Sequence, residues 1–114
     1  MKHRAARNYL KTHRLKSGLS QRELGNLLGY KDAGQISRHE LSKSLPPLTV
    51  ALGYEAIFRV SITAIFADIR ESIGRDIEER VLAMQKALKD RDGRDRDANM
   101  IARKLVWLNQ RSEH

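Results

Sequence analysis

The sequence predicts an all-α chain, and three observations predict it. Breakers are scarce: the two prolines are adjacent, Pro46 and Pro47, and glycine numbers 7. Apolar residues recur three and four positions apart over most of the length, the period of an amphipathic helix. Polar motifs that close helix N-termini stand in front of several of these stretches.

Residues 4–16 read as the first helix. At about 100° per residue, Ala6, Tyr9, Leu10 and His13 share one arc, and Arg4, Arg7, Lys11 and Arg14 occupy the arc beside it. One edge therefore packs while the neighbouring edge is cationic. Ser17 and Gly18 end the helix, because glycine suits a left-handed cap. Ser20, Gln21, Arg22 and Glu23 then form a capping box, in which the Ser hydroxyl takes a first-turn amide and the Glu carboxylate reaches back to the cap amide. A second helix follows with Leu24, Leu27 and Leu28 inward, and Gly29 stops it. Tyr30 and Lys31 turn the chain. Asp32 opens a third helix, with Gln35 placed to reach back, and it runs to about Leu41. Its inner face is Ala33, Ile36 and Glu40, flanked by His39. Its outer face is Gly34, Arg38 and Leu41, flanked by Gln35 and Ser37.

Pro46 and Pro47 open a fourth helix, where a missing amide hydrogen costs nothing. Leu48, Ala51, Leu52, Glu55 and Ala56 follow at helical spacing, with Ile57 and Phe58 near its end. Ser61 caps a short fifth helix carrying Ile62, Ile65 and Phe66. The remainder reads as a helical hairpin. Ile69, Ile73, Ile77, Val81, Met84 and Leu88 make one stripe, and Asp90 to Asp97 is a polar break. Ala98, Ile101, Leu105 and Leu108 make the second stripe, with Trp107 beside it as a core or interface residue. Neither helix buries its stripe alone, so the two pack on each other, on the preceding helices or on a second copy. The expected division is residues 1–67 and 68–114.

A chain of 114 residues is shorter than a typical domain of about 150, so it holds one compact core with an appended piece. No apolar run exceeds four residues, which gives neither a membrane span nor a signal-peptide core. There is no cysteine, hence no disulfide, thiol catalysis or cysteine-held zinc, and the cytoplasm is the expected setting. The net charge of +8 is uneven. Residues 1–59 hold 11 Lys plus Arg and 4 Asp plus Glu, a balance of +7; residues 60–114 hold 11 and 10, a balance of +1. Charge of this kind fits two readings, a face for a polyanion such as nucleic acid and a solvated face that aids solubility.

Residues 19–46 carry the strongest signal. Two short capped helices are joined by a glycine turn, and Gly25 in the first allows them to cross closely. The run from Leu19 through Gly29, then Ile36-Ser37-Arg38-His39-Glu40, then Pro46, resembles the phage-repressor and Cro type of helix-turn-helix, the XRE family. The likeness spans roughly residues 10–67, through a closing segment from Val60 to Phe66. It departs from the family in a turn one residue longer between Gly29 and Ile36, in Ser42 where glycine is usual, and in Gly25 where alanine is commoner. The hairpin has no counterpart in the family core. The resemblance implies an all-α, five-helix lambda-repressor-like domain followed by a C-terminal helical hairpin. It implies a transcriptional regulator whose third helix enters the major groove of double-stranded DNA. Gln35 and Arg38 would read bases, within a contact zone that includes Ala33, Gly34 and Ser37. Arg forks to guanine and Gln pairs with adenine. Arg14, Gln21, Arg22 and Lys43 would contact phosphates, which set affinity and register. The chain is expected to act as a homodimer, with the hairpin as the dimer or partner surface. The same family also holds antitoxin-like modules that grip a protein partner through such a piece, with DNA binding secondary.

No other chemistry is expected. His3, His13 and His39 lack metal-ligand spacing, with His13 at the core edge and His39 on a helix flank. In the run from Asp90 to Asp97 alternating arginines neutralise the acids, the glycine comes too early for a calcium loop, and Ile101 stands where a bidentate Glu is needed. Glu40 is read as satisfying backbone groups near the end of its helix. No phosphate loop, nucleophile triad or carboxylate pair indicates an enzyme, and no cofactor is implied.

Overall fold

The structure, a computed structural model, describes residues 7–91 and 97–112. The described residues are helical, with turns and loops between helices and no strand. In chain order the helices are α1 (Leu10–Lys16), α2 (Gln21–Leu27), α3 (Gly34–Glu40), α4 (Leu48–Phe58), α5 (Ile62–Ile65), α6 (Ala67–Arg91) and α7 (Ala98–Arg111). The chain divides into two units, residues 1–72 and 73–114, with the boundary inside α6. A single residue, Phe66, separates α5 from α6, and the first turn of α6 buries Ile69.

In the first unit, Leu10, Leu24, Ile36, Tyr54 and Ile65 are fully buried, one from each of the five short helices. Several cap signals appear as the local chemistry requires. The Ser20 hydroxyl accepts from the Glu23 amide at 3.0 Å, and the Ser20 amide donates to the Glu23 carboxylate at 2.9 Å. These bonds to Ser20 hold the Glu23 carboxyl below its ordinary pKa. The Ser61 hydroxyl accepts from the Ala64 amide at 3.2 Å. Gly18 and Gly29 both take positive φ beyond their helix ends, where a side chain would be strained.

Other expectations are corrected. Helix α1 begins at Leu10, not in the segment before it, because the Asn8 carboxamide oxygen takes the Leu10 amide at 3.0 Å; residues 4–6 lie outside the described residues. In α2, Leu27 is exposed and Gly25 is buried, since that helix turns its glycine toward the chain entering α3. In α4, Leu48 and Leu52 are exposed, and the buried side chain is Tyr54. His39 is not a helix-flank residue but part of the core.

The second unit is built around Leu88, Ile101 and Leu108, with Val81 and Leu105 packed against them. Glu78 and Arg111 close it with an ion pair at 2.6 Å. The stripe expected on α6 is only partly used. Ile77 and Met84 are exposed, and so is Trp107, because two helices can cover only the sides they turn to each other. The polar break agrees with helix ends at Arg91 and Ala98; its interior lies outside the described residues.

Candidate nucleic-acid interface

Helices α2 and α3 meet over Gly25. A Cβ built there would stand 2.8 Å from the Asp32 backbone oxygen and 3.6 Å from Ile36 Cγ1, so only glycine fits that approach without a shift. The Gly25 carbonyl also accepts from the Tyr30 amide at 2.9 Å, which ties the turn to α2. The Asp32 carboxylate takes the Gly34 amide at 2.9 Å and so positions the start of α3. A Cβ on Gly34 would crowd that carboxylate, at 3.1 Å. The reach-back expected of Gln35 is replaced by this aspartate turn, with Ala33 at the cap and no side-chain cap bond.

Helix α3 is sharply two-faced. Ile36 and His39 are buried, while Gly34, Gln35, Arg38 and Leu41 are exposed and Ala33 and Ser37 are half-buried. The side chains of Gln35 and Arg38 make no hydrogen bond or ion pair among the described residues. Arg22 on α2 and Lys43 beyond α3 are exposed, as is Lys31 in the turn between the helices. The expected base-reading and phosphate residues thus split: Gln35, Arg38, Arg22 and Lys43 are free at the surface, with Gly34 beside them, and Arg14 and Gln21 are engaged within the fold.

Arg14 does not lie on an outward cationic edge. It is 8% exposed, and its guanidinium donates from Nε to Glu40 Oε2 at 2.5 Å, from Nη2 to Glu40 Oε1 at 3.2 Å, and from Nη1 to the Leu19 carbonyl at 3.0 Å. Gln21 Nε2 donates to the same Glu40 Oε1 at 2.9 Å. Glu40 therefore satisfies side chains of α1 and α2 rather than backbone groups at its own helix end. The physical reason is that its carboxylate has several lone pairs and a fork-shaped partner within reach. Arg14 and Gln21 become the residues that hold α1 and α2 against α3.

Two further features were not read from the sequence. His39 Nδ1 and the Tyr54 hydroxyl are hydrogen-bonded at 2.7 Å, with the rings edge to face. Burial lowers the His39 pKa; burial first, then Tyr30 and Glu40 nearby, raises that of Tyr54. Asn8 Nδ2 donates to the His39 carbonyl and to Ser42 Oγ, each at 2.9 Å, strapping the start of α1 to the end of α3. Ser42 adopts φ 56°, the left-handed conformation that favours glycine, and its hydroxyl compensates through that Asn8 bond. A signal for Asn8 existed, since a lone Asn ahead of an apolar run is a helix-start residue. None existed for the His39 and Tyr54 pair, whose members are fifteen positions apart in sequence.

Among the described residues no group of three or more His, Cys, Asp or Glu could hold a metal ion, and no helix is long and apolar enough to cross a membrane. In comparisons with known proteins, no family model, no curated protein and no solved structure matches this chain.

Proposed function

We propose that the chain is a sequence-specific DNA-binding regulator, in which α2 and α3 form a helix-turn-helix and α3 lies in the major groove. The observation that carries this reading is the division of α3. Its back is locked by Ile36, His39 and the Glu40 network, and its front offers Gln35 and Arg38 without internal partners among the described residues. A rigid rod with an uncommitted guanidinium and carboxamide is what base readout needs, since both groups can pair two-pronged with base edges. Arg22, Lys43 and Lys31, with Lys11 and Arg7 on the N-terminal segment, supply exposed positive charge for the phosphates, and most of the +8 excess lies in this half. Gly34 and the half-buried Ala33 and Ser37 complete the contact zone by close approach of the helix. Arg14 and Gln21 serve by positioning. A homodimer on an inverted repeat, its α3 helices about 34 Å apart, is the expected assembly, and the cytoplasm the expected location.

The test is selection of bound duplexes from a random pool by the full-length chain, followed by binding measurements on the selected site. Arg38→Ala should weaken the selected duplex by about 1–3 kcal/mol and relax preference at one position, whereas Lys43→Ala should weaken selected and random duplexes alike. Affinity should fall steeply with salt as counterions are released. A pool that yields no preferred sequence, with Arg38→Ala and the parent indistinguishable on every duplex, refutes the proposal.

A further inference from the structure

Helices α6 and α7 share an open groove of about 300 Å³, lined by Gln85, Lys89, Leu105, Val106 and Asn109. On the α6 side, Glu78, Leu82, Gln85 and Lys89 recur three and four positions apart and make one stripe, with Glu79 and Lys86 along its edge. The middle of the stripe is apolar, and Leu82 there is 63% exposed. Its ends carry opposite charge, acidic toward the start of α6 and basic toward the end. On the α7 side, Ala98, Ala102, Leu105 and Asn109 recur at the same spacing, with Val106, 57% exposed, beside them. None of these five is charged, and the α7 cations Arg103, Lys104 and Arg111 lie off that stripe. Glu79, Lys86 and Lys89 are exposed and make no hydrogen bond or ion pair among the described residues. Glu79 and Lys86 stand seven positions apart, about 10 Å along the helix, too far to pair within one chain.

We propose that a second copy of this chain seats on this face, the two α6 helices running antiparallel about a two-fold axis at the level of Leu82 and Ala83. The charge polarity selects the occupant. A two-fold axis lays each stripe against its own reverse. Positions 79 and 86 are equidistant from that level, so Glu79 of each copy comes opposite Lys86 of the other, and the contact is made twice. Leu82 meets Leu82 between these pairs, and the uncharged α7 stripes meet beside them with no charges opposed. Hairpins docked in the same direction would instead set Glu79 toward Glu79 and Lys86 toward Lys86, and like charges so placed are repelled. Arg75, which would stand level with Lys89 of the other copy, is already engaged within its own chain. A single exposed ion pair contributes little, but symmetry doubles it, and the leucines add apolar cover. The hairpin core of three buried and two partly buried residues is one layer of two helices, which a second layer completes as a four-helix bundle. This proposal gives the dimer named above its surface; it stands on the second unit alone and does not depend on DNA binding by the first.

The test uses the full-length chain without DNA. Sedimentation equilibrium should find a dimer, and Leu82→Glu, a substitution at an exposed position, should raise its dissociation constant at least about tenfold with helical circular dichroism unchanged. Glu79→Lys and Lys86→Glu should each weaken the dimer by about tenfold, and the double variant should recover it. Mixed together, the two single variants should form a heterodimer tighter than either homodimer. The chain has no cysteine, so Leu82→Cys places one thiol per copy beside the axis, and oxidation should link the copies covalently. Met84→Cys, on the other side of α6, should link at least about tenfold more slowly. A monomer at every concentration, a dimer indifferent to Leu82→Glu, or a charge-swapped double variant that stays dissociated overturns the proposal. The two proposals fail separately: a chain that dimerises in this way yet selects no duplex upholds this one and refutes DNA recognition, and a monomer that selects a duplex does the reverse.

Discussion

Replacing Arg14 by methionine separates a positioning role from a phosphate contact. The substitution keeps most of the side-chain volume and removes three donated bonds, two to Glu40 at 2.5 and 3.2 Å and one to the Leu19 carbonyl at 3.0 Å. The Arg14 and Glu40 side chains are 9% and 4% exposed, so water cannot simply replace the lost partner. Breaking such a pair from one side leaves a buried charge uncompensated and costs about 3–5 kcal/mol. That is a large share of the 5–15 kcal/mol typical of a domain, taken as a rough scale. Gln21 Nε2 still donates to Glu40, which keeps the loss toward the lower end. Arg14→Lys should fall between parent and methionine variant, since one ammonium cannot fork to both carboxylate oxygens. A double replacement, Arg14→Met with Glu40→Leu, should recover part of the loss because no orphan charge remains. The assay is urea unfolding followed by helical circular dichroism, in the absence of DNA. If Arg14→Met unfolds within about 0.5 kcal/mol of the parent while losing affinity for every duplex, the inward network is not what Arg14 is for, and the reasoning fails.

Other consequences follow from the same geometry. Because burial lowers the His39 pKa below its ordinary 6.5, the folded state binds fewer protons than the unfolded state in mild acid. Its contribution is fully present above about pH 6.5 and is lost as pH falls below that value; melting temperature should drop on acidification, and His39→Leu should flatten the profile between pH 7 and 5, taken as rough limits. Tyr54→Phe should cost about 1–3 kcal/mol, read in urea, by leaving His39 Nδ1 without its 2.7 Å partner. Gly25→Ala should destabilise despite the better helix propensity of alanine, worth about 1 kcal/mol. The new Cβ would sit 2.8 Å from a backbone oxygen, and overpacking costs about 1–3 kcal/mol; an unchanged melting temperature would show that the turn yields freely. Arg59, exposed and left-handed at φ 56° after α4, should be replaceable by glycine with a gain of about 0.5–1 kcal/mol, visible as a melting temperature a few degrees higher.

The sequence by itself determined the helices and most of their ends. The Ser20 and Glu23 box, the Ser61 cap, the glycines at 18 and 29 and the prolines before α4 all act on partners within a few residues. Their outcome depends on local backbone chemistry that any reader of the chain can reconstruct. The outward set of α3, with Gln35 and Arg38 on one side and Ile36 on the other, was legible for the same reason, since helical spacing assigns faces. The tertiary structure alone decided which of two plausible faces each helix buries and which distant groups meet. Spacing could not say that Arg14 turns in while Lys11 stays out, because both lie on one amphipathic arc and only Glu40, supplied by α3, distinguishes them. It could not place His39 against Tyr54, or show that Leu27 and Leu52 would face solvent while Gly25 and Tyr54 went inside. Those choices belong to the close packing of several helices at once, where volume and hydrogen-bond satisfaction are settled jointly and no single segment carries the answer.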